Sequence, residues 1–146
     1  MEQIGRILGF LQAVQLPGAY ARELLATVEA EIVHASTAIE GNTLTQEQVT
    51  KVLAGQPVQA LRRDIQEVKN YQATLAYIHE IAGHTAAFTH QTVLELHYRL
   101  LQGVDDTLAG RYRTGFVRVG EYLPPEPFMV HSLMDDLLAW MNDPTP

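Results

Sequence analysis

From about Val58 to Ile81 one periodicity holds without a break. Leu61, Ile65, Val68, Tyr71/Gln72, Leu75 and Ile78 recur at steps of three and four and so share one face of a helix. A helix that long with one apolar stripe persists only when the stripe is covered, which commits the chain to helix-on-helix packing. Other segments repeat the pattern. Ile4, Ile7, Leu8 and Leu11 mark a short helix before Pro17-Gly18. Leu25, Val28, Ile32, Ala35 and Ile39 mark one from about Ala19, ended by Gly41-Asn42, two residues that accept the left-handed conformation of a C-cap. Thr45 with Gln48 is a capping-box pattern ahead of Val49, Val52 and Leu53, closed by Gly55 and Pro57. Gly83 punctuates the long run, and Thr89 caps a helix bearing Val93, Leu96, Leu100 and Leu101. Val130, Leu133, Met134, Leu137, Leu138 and Met141 form the last, stopped by Pro144-Thr145-Pro146.

The period changes once. In Thr114-Gly115-Phe116-Val117-Arg118-Val119-Gly120, β-branched residues alternate with Arg118 between glycines, which predicts a short strand or hairpin. Such a hairpin is too small to stand alone and must rest on the helices. Pro124, Pro125 and Pro127 then make an extended connector. The expected fold is one all-α domain of 146 residues with one short β-hairpin.

Composition removes several function classes. There is no cysteine, so disulfides, thiolate metal sites and a cysteine nucleophile are excluded. No uncharged apolar run approaches the roughly 20 residues of a membrane span, and the first residues, with Glu2 and Arg6 among them, do not read as a signal peptide. A soluble, cytoplasmic protein with no membrane partner is expected. The net charge of −7 argues against nucleic acid as a partner, although Arg99, Arg111, Arg113 and Arg118 form a local basic group and nothing after Arg118 is Lys or Arg.

No catalytic constellation emerges from spacing. None of the six histidines falls in an HExxH pattern, and His79 and His84 are separated by Gly83, so no metal site is expected. His97, inside an apolar stripe, reads as a core histidine hydrogen-bonded to a neighbour. Asp105-Asp106 and Asp135-Asp136 read as solvated charges, and neither a phosphate-binding glycine loop nor a GxSxG elbow is present.

Two features remain. Ser36 and Glu40 lie four apart, hence on one helical face, although a carboxylate is slightly unfavourable where helix carbonyls are unpaired. They could meet one arginine together; equally, Ser36 could bond back to its own helix and leave Glu40 in water. The second feature is the Arg-flanked β segment, which is either a docking edge for an extended peptide or a structural cover on the core.

Taken in order, these features resemble the Fic family. Ser36-Thr37-Ala38-Ile39-Glu40-Gly41-Asn42 is similar to its inhibitory motif, [S/T]xxxE[G/N]. Leu96-His97, Gly110-Arg111-Tyr112-Arg113, Pro124-Pro125, and Leu133-Met134 with Leu137 and Trp140 follow the family's progression over roughly residues 25 to 142. The resemblance implies an inhibitory helix over about 19–42, a helical core over 45–102, a flap over 111–123 and a helix at 130–142 leading toward a catalytic loop. It implies a protein AMP-transferase that moves AMP from ATP to a target hydroxyl. In that family Glu40, with Ser36, Gly41 and Asn42, would form the inhibitory motif, its carboxylate pairing with a catalytic-loop arginine. Arg113, Val117, Arg118 and Val119 would belong to the flap that holds the target protein by strand pairing.

The family's catalytic signature, HPFx[D/E]GNGRxxR, does not occur in these 146 residues, whose one Gly-Asn is Gly41-Asn42. The resemblance therefore implies a fragment without the catalytic C-terminal helices: no catalytic residue of its own, no cofactor bound alone, and ATP and Mg²⁺ only with the missing part. Two other readings stand beside it, a stand-alone module acting in trans on a catalytic Fic chain and a helical interaction module without nucleotide chemistry. A last helix without its partners would expose an apolar patch and favour homo-oligomers.

Overall fold

The computed structural model describes residues 17–83 and 87–143. Its helices are α1 (Gly18–Ile39), α2 (Gln46–Leu53), α3 (Arg62–Ala82), α4 (His90–Leu101) and α5 (Val130–Met141), with a 3₁₀ turn over Pro127–Met129 leading into α5. The expected helix at Ile4–Leu11, His84 and the closing Pro144-Thr145-Pro146 lie outside the described residues.

Local chemistry sets the boundaries. At the end of α1 the Gly41 N–H donates to Ala38 O (3.0 Å) and the Asn42 N–H reaches back to Thr37 O (3.1 Å), with Gly41 at φ +91°. This is a Schellman turn, and its left-handed residue is Gly41, not Asn42. The capping box of α2 is formed in full: Gln48 N–H donates to Thr45 Oγ1 (3.3 Å), and Thr45 N–H to Gln48 Oε1 (2.9 Å). Thr89 Oγ1 accepts from Thr92 N–H (3.2 Å) at the start of α4. Helix α3 starts at Arg62, later than its repeat suggests, because Val58 is drawn onto the core as part of the preceding connector.

The core lies where α1, α2 and α3 meet. Val33, Leu44, Val49, Val52 and Val68 are buried, with Leu53, Val58, Ile65, Tyr71 and Leu75 packed against them. The stripes expected for α2 and α3 thus largely hold. The one expected for α1 does not: Leu25 and Ile39 are 67% and 83% exposed, whereas Ala30, Val33 and Thr37 are buried. Periodicity finds an apolar face, but the contact is made by a narrower ridge of small residues, which lets neighbouring helices come close. Thr37 is accommodated there because its hydroxyl donates to Val33 O (2.9 Å).

Buried or reciprocal amides join the outer elements. Asn70 of α3 donates to Leu100 O (2.9 Å) and Gln102 O (2.8 Å), satisfying carbonyls at the end of α4. Asn142, just past α5, exchanges two hydrogen bonds with the Phe88 backbone (2.7 and 2.8 Å). Helix α5 is otherwise lightly held, with Leu138 its one buried residue and Trp140 75% exposed.

The expected hairpin is reduced to a turn. Among the described residues no strand forms; Val119 and Tyr122 exchange two backbone hydrogen bonds of 3.0 Å around Gly120 (φ +60°), an isolated antiparallel bridge. With no neighbouring strand, the alternation of Val117 and Val119 has nothing to propagate into.

Candidate functional site

Ser36 and Glu40 sit on the wall of a cleft of about 560 Å³ between the end of α1, the first half of α3 and the end of α4. The hydroxyl of Tyr71 on α3 donates to Ser36 Oγ (2.8 Å), so Ser36 is held from across the cleft and not by its own helix. Glu40 is the C-cap residue of α1, exposed, and its carboxylate has no ion-pair or hydrogen-bond partner among the described residues.

What fixes Glu40 is the residue after next. Asn42 is buried and donates through Nδ2 to Asp64 O (2.9 Å) and to Glu67 Oε2 (2.9 Å), while its Oδ1 accepts from Leu44 N–H (3.1 Å). Buried Asp64 accepts from Thr43 N–H (3.1 Å) and from the Thr43 hydroxyl. Asn42 and Thr43 thereby clamp the turn after Glu40 onto the first turns of α3. Of the four residues of the motif, Gly41 supplies the left-handed turn, Asn42 the clamp, and Ser36 and Glu40 face the cleft.

The rest of the cleft was not visible in spacing. Glu67 lines it, with Oε1 accepting from Arg63 Nε (2.9 Å). His97 lines it as well, half-buried and without a hydrogen bond among the described residues, which corrects its reading as a hydrogen-bonded core histidine. Tyr71 and His97 each look like ordinary members of an apolar stripe, and only the packing of three helices shows them turned to one space. The cleft offers two carboxylates, of Glu40 and Glu67, against one guanidinium that is already paired. Such a surface suits an incoming cation, above all an arginine able to take a carboxylate in bidentate fashion.

In the second candidate segment the arginines turn inward on their own loop. Arg113 donates to Gly115 O (3.1 Å) and to Pro125 O, tying the two ends of the segment together, and Arg118 donates to Gly120 O (2.7 Å). Arg99 bonds Glu95 (2.7 Å) and lies over the Tyr77 ring at 3.8 Å. Three of the four arginines of the local basic group are therefore engaged in separate structural tasks. Phe116, Val117 and Val119 are exposed, and residues 114–118, bent at Gly115 whose carbonyl Arg113 holds, form no backbone–backbone hydrogen bond, leaving an open edge.

A third group joins residues remote in sequence. His90 Nε2 lies 2.7 Å from Asp135 Oδ1, His131 Nδ1 lies 3.2 Å from Asp135 Oδ2, and His90 Nδ1 lies 2.8 Å from the Tyr112 hydroxyl. The His90 hydrogen bond, with that of His131, holds the Asp135 carboxyl below its ordinary value. Partial burial, with the Asp135 charge behind it, pushes the Tyr112 phenol up. Asp105 and Asp106 are not free solvated charges: Asp105 accepts from the Thr107 hydroxyl and backbone, which lowers its carboxyl value, and Asp106 accepts from Gly103 N–H (2.7 Å).

Residues 87–146 match the model of the Fic/DOC family. The protein adenylyltransferase fic-1 of Caenorhabditis elegans is 32% identical over 115 residues, covering 76% of this chain and 23% of the relative. The protein adenylyltransferase Fic of Drosophila erecta is 27% identical over 138 residues, covering 90% and 27%. Among solved structures, C. elegans Fic-1 aligns with a TM-score of 0.79 at 26% identity, over 99% of this chain and 43% of that one. A Fic family protein from Desulfovibrio desulfuricans G20 aligns with a TM-score of 0.76 at 35% identity, over 99% and 44%. The chain spans about a quarter of the length of these curated relatives.

Proposed function

Because this chain belongs to the Fic/DOC family and carries part of its domain, we propose that it forms the N-terminal, autoinhibitory and target-positioning part of a protein AMP-transferase. The reaction would move AMP from ATP to a hydroxyl of a target protein. The observation that carries this reading is the cleft wall: Ser36 held by Tyr71, and beside it an unpaired Glu40 whose backbone is clamped by Asn42. A carboxylate on a clamped backbone, without a partner among the described residues, is suited to capture an arginine. In the proposed resting state that arginine belongs to the segment bearing HPFx[D/E]GNGRxxR, outside these 146 residues. Its capture would keep it from the ATP phosphates.

The open edge at 114–118 supports the second half of the reading, since an extended target segment gains backbone hydrogen bonds by pairing there. Val117 and Val119 then offer apolar contact, and Arg113 and Arg118 keep the loop in shape. The cleft alone gives no support for a triphosphate: Glu40 and Glu67 would face its charge, and Arg63 is engaged by Glu67. ATP and Mg²⁺ accordingly go with the catalytic segment, and transfer by these residues alone is not expected. A cytoplasmic setting, with target proteins and self-association as the relevant contacts, is part of the same proposal. No helix among the described residues is long and apolar enough to cross a membrane.

The test joins this chain to a segment bearing the catalytic signature and follows labelled AMP into protein. Glu40→Gly should raise labelling at least about tenfold, the loss of a charge-assisted pair worth about 1.5–3 kcal/mol. Equal labelling with and without Glu40 would remove the inhibitory role.

A further inference from the structure

We propose that His90, His131 and Asp135 bind a divalent transition-metal ion of the Zn²⁺ class, pinning α5 to the start of α4. One ligand atom from each of the three lies within 4.8 Å of the others. Two imidazole nitrogens with one carboxylate oxygen is a donor set that zinc accepts with a fourth position left to water. His131 and Asp135 are four apart on α5 and share a face, while His90 comes from the first turn of α4, 45 positions before Asp135.

The site also has an outer support. Ligating histidines are commonly oriented by a hydrogen bond on the second ring nitrogen. The Tyr112 hydroxyl occupies that place on His90 Nδ1 at 2.8 Å and leaves Nε2 aimed at Asp135. With Nδ1–H donating to Tyr112, His90 would present a lone pair at Nε2. Without an ion, Asp135 is instead held by hydrogen bonds of 2.7 and 3.2 Å. Ligands about 2.0–2.1 Å from a tetrahedral ion are about 3.3 Å apart, close to the 2.7 and 3.2 Å that now separate the two imidazoles from the Asp135 oxygens. An ion would take the place of the bridging protons once the three ligand atoms, now within 4.8 Å of one another, draw around it.

One adjustment is needed. The rings of His90 and His131 stack at 4.3 Å with 19° between planes, so their lone pairs lie in two nearly parallel planes, whereas a shared ion needs them to converge on one point. His131, 67% exposed, is the ring free to turn; His90, held by Tyr112 and 28% exposed, is not. Tyr112 is the last residue before the Arg113 tie that closes the loop to Pro125, so the ion would also steady the base of that loop. This inference does not depend on the proposed transfer chemistry.

The experiment titrates Zn²⁺ into the purified chain by calorimetry and Co²⁺ with detection of visible absorption. One equivalent should bind, with Co²⁺ giving the bands of a four-coordinate ion and Zn²⁺ raising the melting temperature. His131→Ala and Asp135→Asn should weaken binding at least about tenfold, and His79→Ala should leave it unchanged. Binding should also weaken on acidification, because protons compete for the ligands. His131 and Asp135 are exposed, so their variants retain the fold; if His90→Ala unfolds, Co²⁺-shifted imidazole resonances in the unaltered chain report whether His90 is a ligand. No binding, or equal binding by His131→Ala and Asp135→Asn, would show hydrogen-bonded side chains only and overturn the proposal.

Discussion

Both ends of the Asn42 amide are taken, two hydrogen bonds given and one received inside a buried turn. Asn42→Ala should cost about 1–3 kcal/mol, since it leaves the buried Leu44 N–H without its acceptor and removes both amide bonds to α3. Urea unfolding would record this as a lower midpoint at an unchanged slope. Ser36→Ala should cost less than about 1 kcal/mol, because the Tyr71 hydroxyl is half-exposed and water can replace its acceptor. The contrast separates scaffold from site within one seven-residue motif. Spacing alone brought Ser36 and Glu40 to one face and read Gly41-Asn42 as a helix end, both local properties. It could not show that Asn42 reaches α3, because a partner 22 or 25 residues away leaves no trace in periodicity.

At the scale of elements, Gly110 makes a sharp prediction. It has φ +68°, and a β-carbon there would stand 3.1 Å from Tyr98 Cβ on α4. Gly110→Ala should destabilise by about 1–2 kcal/mol from the left-handed backbone alone, and hydrogen exchange should quicken at residues 111–113. The link between α4 and α5 has a pH signature of known sign. The folded chain lowers the Asp135 carboxyl below 3.8, so its contribution is present above that value and is lost as pH falls through the folded value. Asp135→Asn should flatten the fall in melting temperature between about pH 5 and pH 2. Helix caps such as Thr45 with Gln48 were legible because their chemistry closes within one turn. The packing face of α1 was not, since Leu25, Ile32 and Ile39 are as apolar as a core stripe and only the placement of α2 and α3 chose the Ala30-Val33-Thr37 ridge. The hairpin failed for the opposite reason: the alternation was present, but a ladder needs a neighbour.

At the scale of the whole molecule, the described residues present two exposed apolar faces, the outer stripe of α1 and the flank of α5 around Leu133, Leu137 and Trp140. Surfaces of that kind associate, so sedimentation should show reversible, concentration-dependent self-association. Trp140→Glu should weaken it while shifting stability by no more than about 0.5 kcal/mol, because that side chain is 75% exposed and contributes little to the fold. A strictly monomeric chain at all concentrations would contradict this. The seating of α1 has a mechanical side. The helix is 22 residues long, about 33 Å, and its buried residues all lie in its second half, next to the Asn42 clamp. It is a lever pivoted near Glu40, with its long arm running back to Gly18. A push on that arm would arrive as torque at the Ala30-Val33-Thr37 contact, with the Asn42 clamp resisting its passage to Glu40, less than a turn beyond.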